Sequence, residues 1–119
     1  MAGIIENKDG QIAIDLKVIE EYAGHATMDC FGIVGMSSIN VRDGVAKMLK
    51  GDSLRRGVTV QSDLAGNLFI TFHIIVAYGV SIRAVVNNLC STVKYQVEDY
   101  TGMKVKAINV YVDGVRVID

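Results

Sequence analysis

From Leu64 to Ile82 the chain runs for 19 residues without an Asp, Glu, Lys or Arg. That is close to the length of a membrane-spanning helix. A segment like this must be buried, in lipid or in the middle of a fold, and its residue types point to the second. Gly66-Asn67 is turn chemistry, His73 interrupts the run, and Ile70, Thr71, Ile74, Ile75 and Val76 are β-branched. The pattern predicts a turn over Leu64–Asn67 and a long strand from Leu68 to Tyr78, with no direct membrane insertion. One face of that strand carries Leu68, Ile70, Phe72, Ile74, Val76 and Tyr78; the other carries Phe69, Thr71, His73, Ile75 and Ala77. Both are mostly apolar. We therefore expect a central strand covered by helices on one side and by another subunit on the other.

The rest of the chain reads as one compact domain over residues 1–119, with 1–9 as a loose N-terminal arm. Gly10 to Asp15 alternates as a short strand, and Asp15 can cap a helix that buries Val18, Ile19, Tyr22, Ala23 and Ala26. Phe31 to Met36 is a brief strand or a close-packed loop. Ser38 or Asn40 caps a second predicted helix over Val41–Lys50, stopped by Gly51. Val58–Asp63 is a strand. Ser81 caps the longest helix, Ile82 to about Tyr100, with a core stripe of Ile82, Val85, Val86, Leu89, Val93, Val97 and Tyr100, and Gly102 ends it. Lys104–Val112 is a final, exposed edge strand. Asp113-Gly114 either turns the chain back as a hairpin or forms a bulge in one continuous strand. The order predicts an α+β fold: a small mixed or antiparallel β-sheet with two to three helices packed on one face.

Composition removes several function classes. Half of the residues are hydrophobic and 21% charged, which excludes a disordered polar tail. The net charge of −1 and pI near 6.1 disfavour nucleic acid as a partner. Two cysteines sixty residues apart, Cys30 and Cys90, are too few for a disulfide scaffold and too distant for a zinc site. They read as reduced, buried thiols of a cytoplasmic protein. The first residues hold charges by Glu6 and no apolar core of a signal peptide.

Catalytic chemistry has little to work with. No GxSxG, HExxH or GxxxxGK[ST] occurs, and Gly32 to Gly35 is too short for a dinucleotide fingerprint. The adjacent pairs Glu20-Glu21 and Glu98-Asp99 point to different helix faces, so neither makes a carboxylate dyad. His25 pairs with Glu21 on a solvated helix side, and His73 on its apolar strand reads as a hydrogen-bonded core or interface residue. We expect no enzyme, no cofactor and no metal. Charge is unevenly spread. Residues 1–30 hold two basic and six acidic groups, while 42–56 hold Arg42, Lys47, Lys50, Arg55 and Arg56 against Asp43 and Asp52. Such a chain can dock basic patch to acidic patch, on itself or on another protein.

A resemblance sharpens this. Gly10-x-Ile12-x-Ile14, Val18-Ile19, Ala23, Ala26 and Gly32-Ile33-Val34-Gly35-Met36 resemble the opening of the alkaline shock protein twenty-three family. The likeness continues through Gly57-Val58-x-Val60. It is strongest at Ile75-Val76-Ala77-Tyr78-Gly79-Val80-Ser81-Ile82, followed by Val85, Asn88, Val93, Val97, Thr101-Gly102 and Val105-x-x-Ile108-Asn109-Val110. Arg83 stands where many relatives have Pro, and the long charged tails of the envelope-stress members are absent. The resemblance makes Gly32, Gly35, Tyr78, Gly79, Ser81, Gly102 and Asn109 signature positions. It implies a small cytoplasmic protein of Gram-positive bacteria that self-associates and acts in envelope stress. It also implies a possible membrane-integral anchor protein or dihydroxyacetone-kinase-like protein as partner, with no catalytic residue to carry over.

Residues and resemblance together predict a self-associating scaffold or adaptor. Its expected contact surfaces are Phe69, Thr71, His73 and Ile75, the Lys104–Val112 edge, and the basic group Arg42, Lys47, Lys50, Arg55 and Arg56. The alternative is a carrier of an acyl chain or metabolite, acting with a fatty-acid kinase-type partner. A third reading is an enzyme using His73 and a nearby carboxylate.

Overall fold

The computed structural model describes residues 2–7, 10–40, 45–49 and 57–118. In chain order they form β1 (Ala2–Asn7), β2 (Gly10–Asp15), α1 (Leu16–Met28), β3 (Ile33–Asn40), β4 (Val45–Leu49), β5 (Val58–Ser62), β6 (Asn67–Ala77), α2 (Ile82–Thr101) and β7 (Lys104–Arg116). The class is α+β, as the sequence predicts.

The charge-free run becomes β6, the centre of a five-stranded sheet. One edge of β6 pairs along its whole length with β7 in parallel. Its other edge is shared end to end: β5 pairs antiparallel with residues 68–72, and β3 antiparallel with 74–76. β4 extends β3 outward. The turn before β6 is held by Asp63, whose Oδ1 accepts from the backbone N–H of Ala65 and of Asn67, at 3.0 and 2.9 Å.

Both helices pack on one face of this sheet. There Leu68, Ile70, Phe72, Ile74 and Val76 of β6 meet Ile19 and Ala23 of α1 and Val85, Leu89, Val93 and Val97 of α2, all buried. Each such aliphatic or aromatic side chain contributes about 1.5–3 kcal/mol of transfer free energy. The caps are local and come from the expected residues. The Asp15 carboxylate accepts from Lys17 N–H at 2.9 Å, and Ser81 Oγ accepts from Ala84 N–H at 3.3 Å. Gly102 closes α2 at φ 75°, in the left-handed region. Gly32 is forced by space as well as backbone: at φ +85° an added Cβ would lie 2.5 Å from Val85 Cγ2.

The structure corrects four expectations. The predicted helix over Val41–Lys50 is strand β4 where it is described, and 41–44 and 50 lie outside the described residues. A short apolar run does not distinguish the two periods by itself. Here the edge of β3 opposite β6 is open, and residues 45–49 pair with it from Met36 to Asn40. The expected N-terminal arm forms β1, paired through six residues with β2. Val18, Ile82, Tyr100 and Tyr78, assigned to buried stripes, are 44%, 47%, 55% and 73% exposed. The rest of each stripe holds, with Ile19, Ala23 and Ala26 of α1 and Val85, Leu89, Val93 and Val97 of α2 buried, and it is completed by Leu16 and Thr27 on α1 and Thr101 on α2. Finally, Ile75 is only 1% exposed within the protomer, so it offers no free contact surface.

The ambiguity at Asp113-Gly114 resolves as a bulge. β7 runs on to Arg116, and the register steps from Ile74↔Val112 to Ile75↔Gly114, leaving Asp113 unpaired in the ladder. Continued pairing with β6 decides this, because a hairpin would leave the last residues of β6 without a partner on that edge.

Candidate functional site

The sheet face away from the helices carries Phe69, Thr71 and His73, each half-buried, with Tyr111, Asn109, Thr59 and Gln61 exposed around them. Register places Thr59, Thr71 and Asn109 side by side across three strands, with His73 beside Tyr111 one pleat further on. The His73 and Tyr111 rings stack at 4.9 Å between centroids and 11° between planes.

At the centre of this face lies a polar cluster. The bulge turns Asp113 inward, and its Oδ2 accepts from Ser37 Oγ at 2.7 Å and pairs with His73 Nδ1 at 2.9 Å. A carboxylate can only accept, so Nδ1 carries the proton and Nε2 is the free nitrogen. Ser37 is fully buried, Asp113 is 11% exposed at its side chain and His73 29%. The order of partners matters. In a hydroxyl nucleophile the imidazole stands between hydroxyl and carboxylate and takes the hydroxyl proton. Here the carboxylate stands between the other two, and the hydroxyl faces no solvent. The cluster fixes β3, β6 and β7 to one another.

The sequence-level candidates distribute unevenly over this geometry. Phe69, Thr71 and His73 come together on the open face, while Ile75 lies on the same face beneath Gly114 and is covered. Lys47 lies in β4, and Arg42, Lys50, Arg55 and Arg56 lie outside the described residues. Among the signature positions, Gly35 pairs with Ile75, Asn109 with Thr71, and Tyr78 donates its N–H to Arg116 O at 2.7 Å. Sequence reasoning missed Ser37, Tyr111 and Asp113. The Asp113-Gly114 dipeptide was the signal available for the last of these.

Elsewhere, burial pushes the Cys30 and Cys90 thiols above their ordinary range, which keeps them protonated and poorly nucleophilic. Among the described residues no group of three or more His, Cys, Asp or Glu is placed to hold a metal ion. No helix among them is long and apolar enough to cross a membrane. Clefts open at the surface among the described residues. One of about 240 Å³ is lined by Phe31, Val80, Ser81, Ala84, Val85 and Asn88. Another of about 340 Å³ lies beside the stacked Tyr22 and Tyr100 rings.

Comparison with known proteins places this chain in a family. The chain is 42% identical over 114 residues to the uncharacterized protein YloU of Bacillus subtilis (strain 168), covering 95% of this chain and 94% of that protein. It is 31% identical over 115 residues to the uncharacterized protein Spy1614 of Streptococcus pyogenes serotype M6, covering 96% and 94%. A second protein of that organism, Spy1535, is 29% identical over 106 residues, covering 89% and 79%. No solved structure matches significantly. The profile of the alkaline shock protein twenty-three family, described as having a cell envelope-related function, matches residues 4–117. With a match across nearly its whole length, the chain belongs to that family.

Proposed function

We propose that this protein is a non-enzymatic, self-associating scaffold or adaptor that serves the cell envelope from the cytoplasmic side of a Gram-positive cell. Its partner is a membrane-integral anchor, through which it reaches the membrane, or a dihydroxyacetone-kinase-like protein. The observation that carries the reading is the sheet face on which no helix among the described residues packs. Phe69, Thr71 and His73 are left half-buried there, with exposed Tyr111 beside them. Aromatic and hydrogen-bonding side chains on a flat, rigid surface are what a protein interface uses. The Ser37–Asp113–His73 cluster holds that surface in shape.

Light scattering on a sizing column, over a wide concentration range, tests self-association. The expected result is a discrete multiple of 12.9 kDa, or a mass that rises with concentration. A strict monomer throughout overturns self-association. Phe69→Lys is expected to lower the mass while the protomer keeps its folded circular dichroism spectrum.

The apolar cleft under Phe31 favours a second reading, in which the protein carries an acyl chain or metabolite. Native mass spectrometry of protein purified without denaturant tests it. A bound adduct supports the carrier, and bare protein at every charge state counts against it.

A further inference from the structure

The two long sides of the sheet end differently. At β5, α1 supplies a carboxylate to the strand: Glu20 Oε2 accepts the backbone N–H of Val60 at 3.1 Å, so that donor is not offered outward. At β7, a helix carboxylate reaches only the start of the strand, where Glu98 Oε2 accepts from Val105 N–H at 2.9 Å. Beyond that point no strand among the described residues pairs with the side of β7 that faces away from β6. Alternate residues of a strand direct both backbone groups to the same side, so this side presents a row of free donors and acceptors.

The composition of β7 shows where an added strand would sit. Ala107–Val112 (Ala-Ile-Asn-Val-Tyr-Val) has no charge, no Gly and no Pro, and lies between register steps at Lys106 and Asp113. On the helix side, Ile108, Val110 and Val112 are only partly buried although they pack against the core. The apolar layer therefore reaches this edge unfinished. Cationic side chains cluster around the window: Lys104 and Lys106 precede it, Arg116 follows it, and Lys94 of α2 lines the same cleft as Lys106 and Ala107. Three nearby carboxylates already accept hydrogen bonds: Glu98 from β7 itself, Asp113 from Ser37 and His73, and Asp63, which lies within electrostatic reach of Lys106, from Ala65 and Asn67. A cleft of about 270 Å³ opens beside the edge, lined by Cys90, Ser91, Lys94, Val105, Lys106, Ala107 and Ile108.

We infer that the free edge of β7 takes up an extended, acidic segment of a partner protein as an added strand. Alternating apolar side chains of the segment complete the layer over Ile108, Val110 and Val112, and its flanking carboxylates meet Lys94, Lys104, Lys106 and Arg116. A second copy of β7 fits this edge worse. Antiparallel pairing of two such strands would bring the lysine end of each beside Arg116 of the other, and like charges at a strand pair are destabilising.

The inference rests on the adaptor half of the proposed function and not on self-association. Two labelled synthetic peptides test it, one of alternating valine and threonine flanked by glutamates, the other flanked by lysines. Titrated into the full chain at low salt, the glutamate peptide should bind about tenfold or more tightly than the lysine peptide, with the gap shrinking as salt rises. Backbone amide shifts should centre on Ala107–Val112, and the surface variant Lys104→Glu with Lys106→Glu should reverse the preference. Equal affinities, no binding of either peptide, or shifts mapped to another element would overturn it. So would outward-facing β7 amides, those not bonded to β6, already protected from exchange in the peptide-free protein, because the edge is then filled by a second copy. If the peptides fail while the mass remains a multiple of the monomer, only this inference falls.

Discussion

Asp113 holds two partners with one oxygen, and one of them, Ser37, has no access to solvent. Asp113→Ala should cost about 1–3 kcal/mol, because it strands a buried hydroxyl instead of merely deleting a contact. Urea unfolding should show a lower midpoint with an unchanged slope. Asp63 carries a pH dependence. Hydrogen bonds from the backbone and side chain of Asn67 hold its carboxyl below the ordinary value. Its charged form is thus favoured more in the folded than in the unfolded chain. That contribution is present above the unfolded carboxylate value, about 3.9, and is lost as pH falls through the lower folded one. Asp63→Asn cannot ionise, so its stability deficit against the parent should be widest near neutral pH and close on acidification. A gap that does not change between neutral and acid would refute this. At this scale the sequence was only half legible. His73 stood out as a lone imidazole on an apolar strand, but its carboxylate lies 40 positions away, and only the bulge brings the two within 2.9 Å.

The helix ends were readable because capping is local chemistry. Asp15, Ser81 and Gly102 each act within a few residues of themselves. Gly102→Ala places a Cβ in the left-handed region at φ 75° and should cost about 1–2 kcal/mol, measured by thermal unfolding. Gly102→Asn should recover part of the loss, since Asn tolerates that conformation. The element that sequence reasoning missed was β4. Residues 45–49 have no local signal strong enough to choose between helix and strand, and the open edge of β3 chose for them. Similarly, the exposure of Val18 and the burial of Leu16 and Thr27 follow from where β5 and β3 lie beneath α1, which no helix periodicity contains.

For the molecule as a whole, the decisive distinction lies between two residues on the same face of β6. Ile75 is enclosed within the protomer, so Ile75→Ala should cost about 2–5 kcal/mol of stability in a chemical denaturation curve. Phe69 is half-exposed, and its replacement by Lys should act on association and leave the fold standing. Comparable losses of stability for both would mean that the open face belongs to the core. The sequence by itself determined the class of the fold, the central place of the charge-free strand, the caps and the family, because each depends on short-range pattern or on the residues themselves. Tertiary structure alone decided that β4 is a strand, that Ile75 is covered, and that Asp113 meets Ser37 and His73. These depend on which distant segments share a sheet, and pairing between strands is set by backbone groups that every residue carries alike.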